Sequence, residues 1–499
     1  MRTRIVKLSQ ATLWSAEHEP LKDRVPGGVF GNLADLRRQL DEAHQLANLP
    51  PIKHEESHNV YNIKSDSDGD DEPPDDALDL SHGQADTLIL GGEGNAQSSR
   101  APIATTVMEL FIERLISNFS PKNLAKYGGS IALREASEMR MFSPIICTAF
   151  EAAALSFAGC RDGNPSIEVV GHSRYIRVLR LLQNALYDPK QSKSTDVLVV
   201  VLLSTIIEAF KQSSSDSIFR HQLGGLELLR ARTAYRHRHG IDRSLFVDLR
   251  LYWVTAALVH RKPTFMASKE WLTVPWTGDG TPKDILHRLL DIAVDIPGYL
   301  SQIDEFMALL REANSPPSLL AAMQSSILDL AGELQARLNM WKTMYADTYP
   351  PGMPKEELDC ETPDGFPVFK CRDPSTMQTV TAKVLVYPDI LLATSMSLYW
   401  ALSLVISTAD SGLVSVLGPQ RRYLFACNIC RSMKYYIQNI PGCLVSRIMF
   451  VIRTAFDVFT ENMIEKEFLV ECFHFIGRKL QLTVFSNQCA SSAVKLGNA

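Results

Sequence analysis

From residue 106 onward, apolar residues recur every three or four positions, the spacing that gathers them on one face of an α-helix. Val107, Leu110, Phe111, Leu115 and Phe119 form the first such stripe, ended by Pro121. Thr106 and Glu109 stand three apart at its start, where a hydroxyl and a carboxylate can each satisfy an open amide, so the helical body is expected to begin there. Residues 144–157 predict an alanine-rich helix stopped by Gly159, and Tyr175, Val178, Leu179, Leu182 and Leu186 mark another that ends at Asp188-Pro189. Residues 197–210 are apolar nearly all round, which at that length predicts a central buried helix. Segments 284–294, 299–313, 319–345, 390–408, 420–437, 444–459 and 465–480 also suit helices, and alternating runs are few. The pattern predicts an all-α fold, a large multi-helix bundle or array. Residues 390–408 carry no charge over almost the ~20 residues that a membrane span needs. Ser395, Ser397, Tyr399 and Ser403, with no basic cluster beside them, assign that segment to the core instead, and no membrane association is expected. The Pro-, Asp- and Lys-rich segment 350–376 predicts a surface insertion.

The first hundred residues follow a different pattern. Residues 32–49 form one amphipathic helix carrying Leu33, Leu36, Leu40 and Leu46, a candidate for partner binding or dimerisation. Residues 50–103 are polar, with an acidic centre at 65–76, and hold too little apolar area to offset the entropy of ordering. A disordered acidic linker is expected there. Aliphatic residues interspersed with acids at 77–80 and 87–90 have the composition of activation segments. The organisation read from the chain is thus an N-terminal segment 1–49, a linker 50–103 and a helical domain 104–499.

Charge and cysteine content narrow the chemistry. A net charge of −5 and a pI near 6.2 carry no global nucleic-acid signature. Nine cysteines, an odd number scattered through helical patterns, argue for reduced thiols rather than a disulfide framework. Cys427 and Cys430 make a Cys-x-x-Cys without a second pair nearby, whereas a structural zinc site takes four ligands, so both are read as packed helix positions. His54-Glu55-Glu56-Ser57-His58 matches a zinc-protease pattern, but Pro50-Pro51 and the acidic run deny it a helix face to shield a metal. The aspartates of 70–76 are interrupted by Pro73-Pro74 and cannot be aimed at a diphosphate through magnesium. An EF-hand-like start at Asp66 lacks glycine at the sixth position and has Ala77 where the bidentate acid belongs. No catalytic residue, metal ligand or cofactor is assigned from the sequence.

The densest signal lies between residues 219 and 276. His221 precedes Gly224-Gly225, and each glycine costs its helix roughly 1 kcal/mol relative to alanine, tolerable where another backbone must come very close. A second helix is expected over 242–260, with Leu245, Leu249, Tyr252, Trp253 and Ala256 on its buried face, ended by Lys262-Pro263. Arg261-Lys262-Pro263-Thr264-Phe265 then opens an extended lid over 263–276, which Trp271 and Trp276, the latter after Pro275, anchor to the bundle. Arg230, Arg232, Arg236 and Arg238 make a basic run that is the best local candidate for phosphate contact or nuclear import; its bland reading is the solvated end of the Gly-Gly helix.

These motifs, in this order, resemble the helical regulatory domain of fungal zinc-cluster transcription factors, with its His-x-x-Gly-Gly helix, Arg-Arg/Lys-Pro-Thr-Phe turn and closing Trp-x-x-x-Pro-Trp. The resemblance implies a nuclear regulator of transcription by RNA polymerase II, with the transcriptional machinery or a paralogous factor as partner. It further implies a small-molecule ligand or a partner; a homo- or heterodimer, such as a truncated factor that titrates an intact paralogue, is expected through the helix at 32–49. Members of that family place six cysteines on two zinc ions ahead of this domain to read DNA. This chain has no cysteine before Cys147, so direct DNA binding is not expected of it. The alternative from another class is an all-α enzyme of small-molecule, secondary metabolism.

Overall fold

The computed structural model describes residues 96–121, 129–211, 217–278, 280–312, 315–373, 376, 378–408 and 416–480. The expected helix 32–49, the acidic stretch with its His-Glu-x-x-His and calcium-loop matches, and the aliphatic segments 77–80 and 87–90 lie outside the described residues. Within them the protein is all-α, with two short β-ribbons.

Helix α1 spans Ala96–Phe119, so it starts upstream of Thr106 and takes in the last residues of the expected linker. Glu109 therefore does not close a capping box; its two carboxylate oxygens bind Arg140 at 3.0 Å each. The buried face is Ile112, Leu115, Ile116 and Phe119, while Val107 and Leu110, expected inside, are exposed. Phe119 fixes that rotation by meeting Phe157 and Phe210 edge-on, each at 6.1 Å.

α2 (Ile131–Glu138) is capped by Ser130, whose hydroxyl accepts the Leu133 amide at 3.1 Å. α3 (Pro144–Asp162) and α4 (Pro165–Tyr187) form a tight antiparallel hairpin. Gly159 does not stop α3, which continues to a left-handed Gly163 at φ 61°. Its absent side chain instead lets α4 approach: a Cβ there would lie 2.6 Å from the Glu168 backbone nitrogen, and one on Gly171 would lie 2.8 Å from that of Ser156. α5 (Thr195–Lys211) is the central helix, buried at every position from Val197 to Phe210, as its unbroken apolar run predicts. α6 (Ser217–Arg230) and α7 (Gly240–His260) pack beside it.

The second half is built from α8 (Lys269–Thr273), α9 (Ile285–Ala293), α10 (Ile296–Arg311) and α11 (Pro317–Trp341), the last running on into a π-turn. Then come α12 (Ile390–Thr408), α13 (Pro419–Asn439), α14 (Met449–Val458) and α15 (Ile464–Leu480). One continuous hydrophobic core joins the halves. Between α11 and α12, the expected surface insertion folds as two antiparallel ribbons, β1 (Lys355–Glu357) with β4 (Val384–Val386) and β2 (Lys370–Arg372) with β3 (Thr379–Thr381). It is docked rather than looped out, because Phe366 and Phe369 are buried against Phe468 and Phe475 of α15.

α12 is the one helix among the described residues long and apolar enough to cross a membrane, and 89% of its apolar window is buried inside the protein. Several of its polar groups are bonded internally: Tyr399 donates to Asn339 at 3.1 Å, Gln335 donates to Ser403 at 3.3 Å, and Ser395 bonds back to the Leu391 carbonyl, while the buried Ser397 hydroxyl has no partner among the described residues. It is a core helix.

Candidate functional site

The motif residues converge on α7, which presents Phe246, Arg250 and Trp253 at four- and three-residue spacing on one face. Gly224 and Gly225 are both buried, and the space beside Gly225 is filled by the Trp253 indole: a Cβ there would lie 2.9 Å from its Nε1 and 3.2 Å from Val201 Cγ1. What comes close to Gly225 is thus side chains and not the backbone that the pairing suggested. His221, on the same helix, is a satisfied core group. Its Nε2 lies 3.0 Å from the Tyr175 hydroxyl, which donates to Glu208 at 2.9 Å. Burial lowers the His221 pKa against the pull of Glu208, and burial beside Glu208 holds Tyr175 well above the ordinary phenol value.

α7 ends at His260 because Arg261 turns left-handed at φ 56°, one residue before Lys262-Pro263. A non-glycine residue in that region needs support, and Asp304 supplies it through bonds of 2.8 and 2.6 Å to the Arg261 guanidinium. Lys262 and Pro263 are exposed. The segment expected as an extended lid is instead compact: a 3-10 turn at Phe265–Ala267 whose first amides Thr264 caps, then α8, then a second turn at Val274–Trp276. Its first indole is an anchor, with Trp271 buried 5.9 Å from Phe246, 5.6 Å from His237 and edge-on to Phe265 at 5.1 Å. Pro275 is also buried.

Trp276 is only half-buried and faces a different environment. Arg243, Arg250 and Lys283 stand 5.8, 5.6 and 5.4 Å from its ring centre, and His287 lies 4.8 Å away on another side. Arg250 is 1% exposed and is held by the His287 carbonyl at 3.0 Å and Asp291 at 2.6 Å; Lys283 shares that aspartate and donates to the Leu272 carbonyl at 2.6 Å. Sequence reasoning passed over Arg250, Lys283, His287 and Asp291. The one available signal was a lone arginine standing on the apolar face of α7, four residues after Phe246.

The basic run is divided between core and surface. Arg232 is buried, donates to the Lys193 and Ser194 carbonyls at 2.9 and 2.7 Å, and pairs with Asp242 at the start of α7. Arg236 also reaches Asp242, at 3.2 Å, while Arg230 pairs with Glu227 and lies over Phe265, and Arg238 lies over Tyr235. Arg230 stands in the last turn of α6, as expected of a cation at a helix end, while Arg232 and Arg236 tie the following 3-10 segment, Ala234–Arg238, back onto Asp242. The signal for this was Asp242, which α-helical periodicity alone does not connect to Arg232.

Two histidines in the cluster are held uncharged. Burial brings His237 down to about 4, although its Nδ1 meets the Asp242 carbonyl at 2.9 Å; burial, aided by Arg250 and Lys283, holds His287 well below the usual imidazole value. A folded-state pKa below the unfolded one means that the unfolded chain binds more protons, so stability falls as pH falls from about 6.5 toward 4. The expected result is a midpoint of denaturation clearly lower at pH 5 than at pH 7.5, with a shallower fall in His237→Gln. Equal slopes in the two proteins would remove His237 from that role.

Taken together, each cation of the site already faces a carboxylate, a carbonyl or a ring, a geometry suited to holding elements together. Among the described residues no group of three or more His, Cys, Asp or Glu is placed to hold a metal ion. The fold and site define a large all-α protein with a buried aromatic and cationic hub. No protein-family model matches the chain, and no solved structure matches it. An uncharacterized protein of Emericella nidulans is 28% identical over 197 residues, which cover 37% of this chain and 42% of that relative. The chain thus spans about two fifths of the relative's length.

Proposed function

We propose that this chain is a nuclear regulator of transcription by RNA polymerase II, acting through a helical domain like that of fungal zinc-cluster factors. The observation that carries this reading is the order and joint folding of the motifs. Gly225 meets Trp253 of α7, the Arg261–Phe265 turn ends α7 with Phe265 on Trp271, and Trp271 and Trp276 pack on Phe246 of the same helix, while His221 ties the glycine helix to Tyr175. In this reading the domain responds to a ligand or a partner, and the acidic stretch ahead of α1 meets the transcriptional machinery. A paralogous factor is one partner through which the domain would reach DNA.

The test is to tether the full chain to an unrelated DNA-binding domain beside a reporter gene in a fungal cell. Reporter output is expected to change several-fold against the DNA-binding domain alone, and to return toward that baseline when residues 50–103 are deleted. An abundant, nuclear fusion that leaves the reporter untouched would sink the proposal.

A further inference from the structure

Two thiols far apart in the sequence are brought to one place in the fold. Cys371 is the middle residue of β2, paired with Val380 of β3, and Cys427 lies on α13. One helical turn before Cys427, the Tyr423 hydroxyl accepts the Arg372 amide at 3.0 Å and donates to Glu465 of α15, which also takes the Arg372 amide at 3.0 Å. This clamp seats β2, with Cys371 next to the bonded Arg372, on the face of α13 that carries Tyr423 and, one turn on, Cys427. Cys371 is half-buried and Cys427 buried, so a small oxidant approaching from outside meets Cys371 first.

The pair is also chemically asymmetric. The neighbouring Cys427 thiol, aided by the Arg431 charge, lowers Cys371 below the ordinary thiol value, while Cys371 and burial push Cys427 up. Cys147, Cys160, Cys430 and Cys472 are each raised by burial. Because the thiolate is the nucleophile, reactivity follows thiolate character and access.

We propose that Cys371 and Cys427 form a reversible disulfide driven by hydroperoxide, with Cys371 as the attacking thiol and Cys427 as the resolving one. The Cys371 thiolate attacks one peroxide oxygen; an S–O bond forms, the O–O bond breaks, and the leaving hydroxide or alkoxide takes a proton. The Cys427 sulfur then attacks the Cys371 sulfenic acid; the S–S bond forms, the S–O bond breaks, and water leaves with the Cys427 proton. Two electrons pass from the thiols to the peroxide, and a dithiol reductant reverses the change. The bond staples the β2–β3 ribbon to α13, and the loop it closes contains α12. This inference does not depend on the transcriptional reading.

The experiment treats the purified, reduced full chain with stoichiometric hydrogen peroxide, blocks remaining thiols, and maps peptides without reduction. A Cys371–Cys427 linked peptide that dithiothreitol abolishes is expected, with loss of the free Cys371 peptide. In Cys427→Ser, dimedone is expected to label Cys371; in Cys371→Ser, no label is expected on Cys427. The wild-type map needs no variant to fold. The proposal is overturned if wild type yields no such link, if Cys371 goes to the sulfinic acid without linking, or if the exposed Cys360 is consumed first.

Discussion

Gly159→Leu is expected to lower stability by more than ~3 kcal/mol, beyond the ~1–3 kcal/mol that overpacking costs where neighbouring side chains can shift. The atoms in its way are backbone: the new Cβ would stand 2.6 Å from the Glu168 nitrogen and 2.8 Å from its Cα. Making room means opening the α3–α4 hairpin, whose helices bury Phe150, Phe157, Tyr175 and Val178. Gly225→Ala offers the contrast. Its neighbours are side chains, Trp253 at 2.9 Å and Val201 at 3.2 Å, and alanine returns roughly 1 kcal/mol of helix propensity. The denaturation midpoint of Gly159→Leu should therefore fall far below that of Gly225→Ala; the reverse order would mean that α3 and α4 are not closely apposed.

That contrast also marks how far the sequence could be read. Helices whose apolar positions decide their burial, such as α5, α7 and α12, follow from periodicity alone, because one face or the whole surface of each must leave water. The role of a glycine does not follow, since it depends on what crosses over it. Gly159 has the sequence context of a stop and is a contact point, whereas Gly225, expected against backbone, meets an indole edge. The same holds for charge. Nothing local distinguishes Arg232 from Arg236 or Arg238, yet the first is buried by Asp242 and the Lys193–Ser194 carbonyls while the other two stand nearer the surface. The ribbon strands, three residues each, are too short to display an alternating pattern. The compact turns of 263–276 escaped because proline and threonine there suit extended and 3-10 geometry equally; the choice is made by Trp271 and Trp276 packing on Phe246.

Arg232→Met is the second change expected to have a large effect, about 3–5 kcal/mol, the cost of removing one partner from a buried ion pair. Its side chain is 1% exposed, and burial already opposes its charge, so Asp242 and the two carbonyls that it serves are arranged to hold it. Without the cation, Asp242 keeps only the half-exposed Arg236 and the Thr195 hydroxyl, which donates to it at 2.9 Å. The segment between α6 and α7 would then lose its main tie to the start of α5.

The most direct measurement on the block between residues 219 and 276 is the melting of Arg232→Met beside a triple Arg230→Gln, Arg236→Gln, Arg238→Gln variant, with duplex DNA binding of each followed at low salt. If the block is an internal scaffold, Arg232→Met melts far below wild type, the triple variant loses no more than about 1 kcal/mol per exposed pair removed, and DNA binding is alike in all three. A wild-type melting curve for Arg232→Met, together with DNA binding lost in the triple variant, would contradict it.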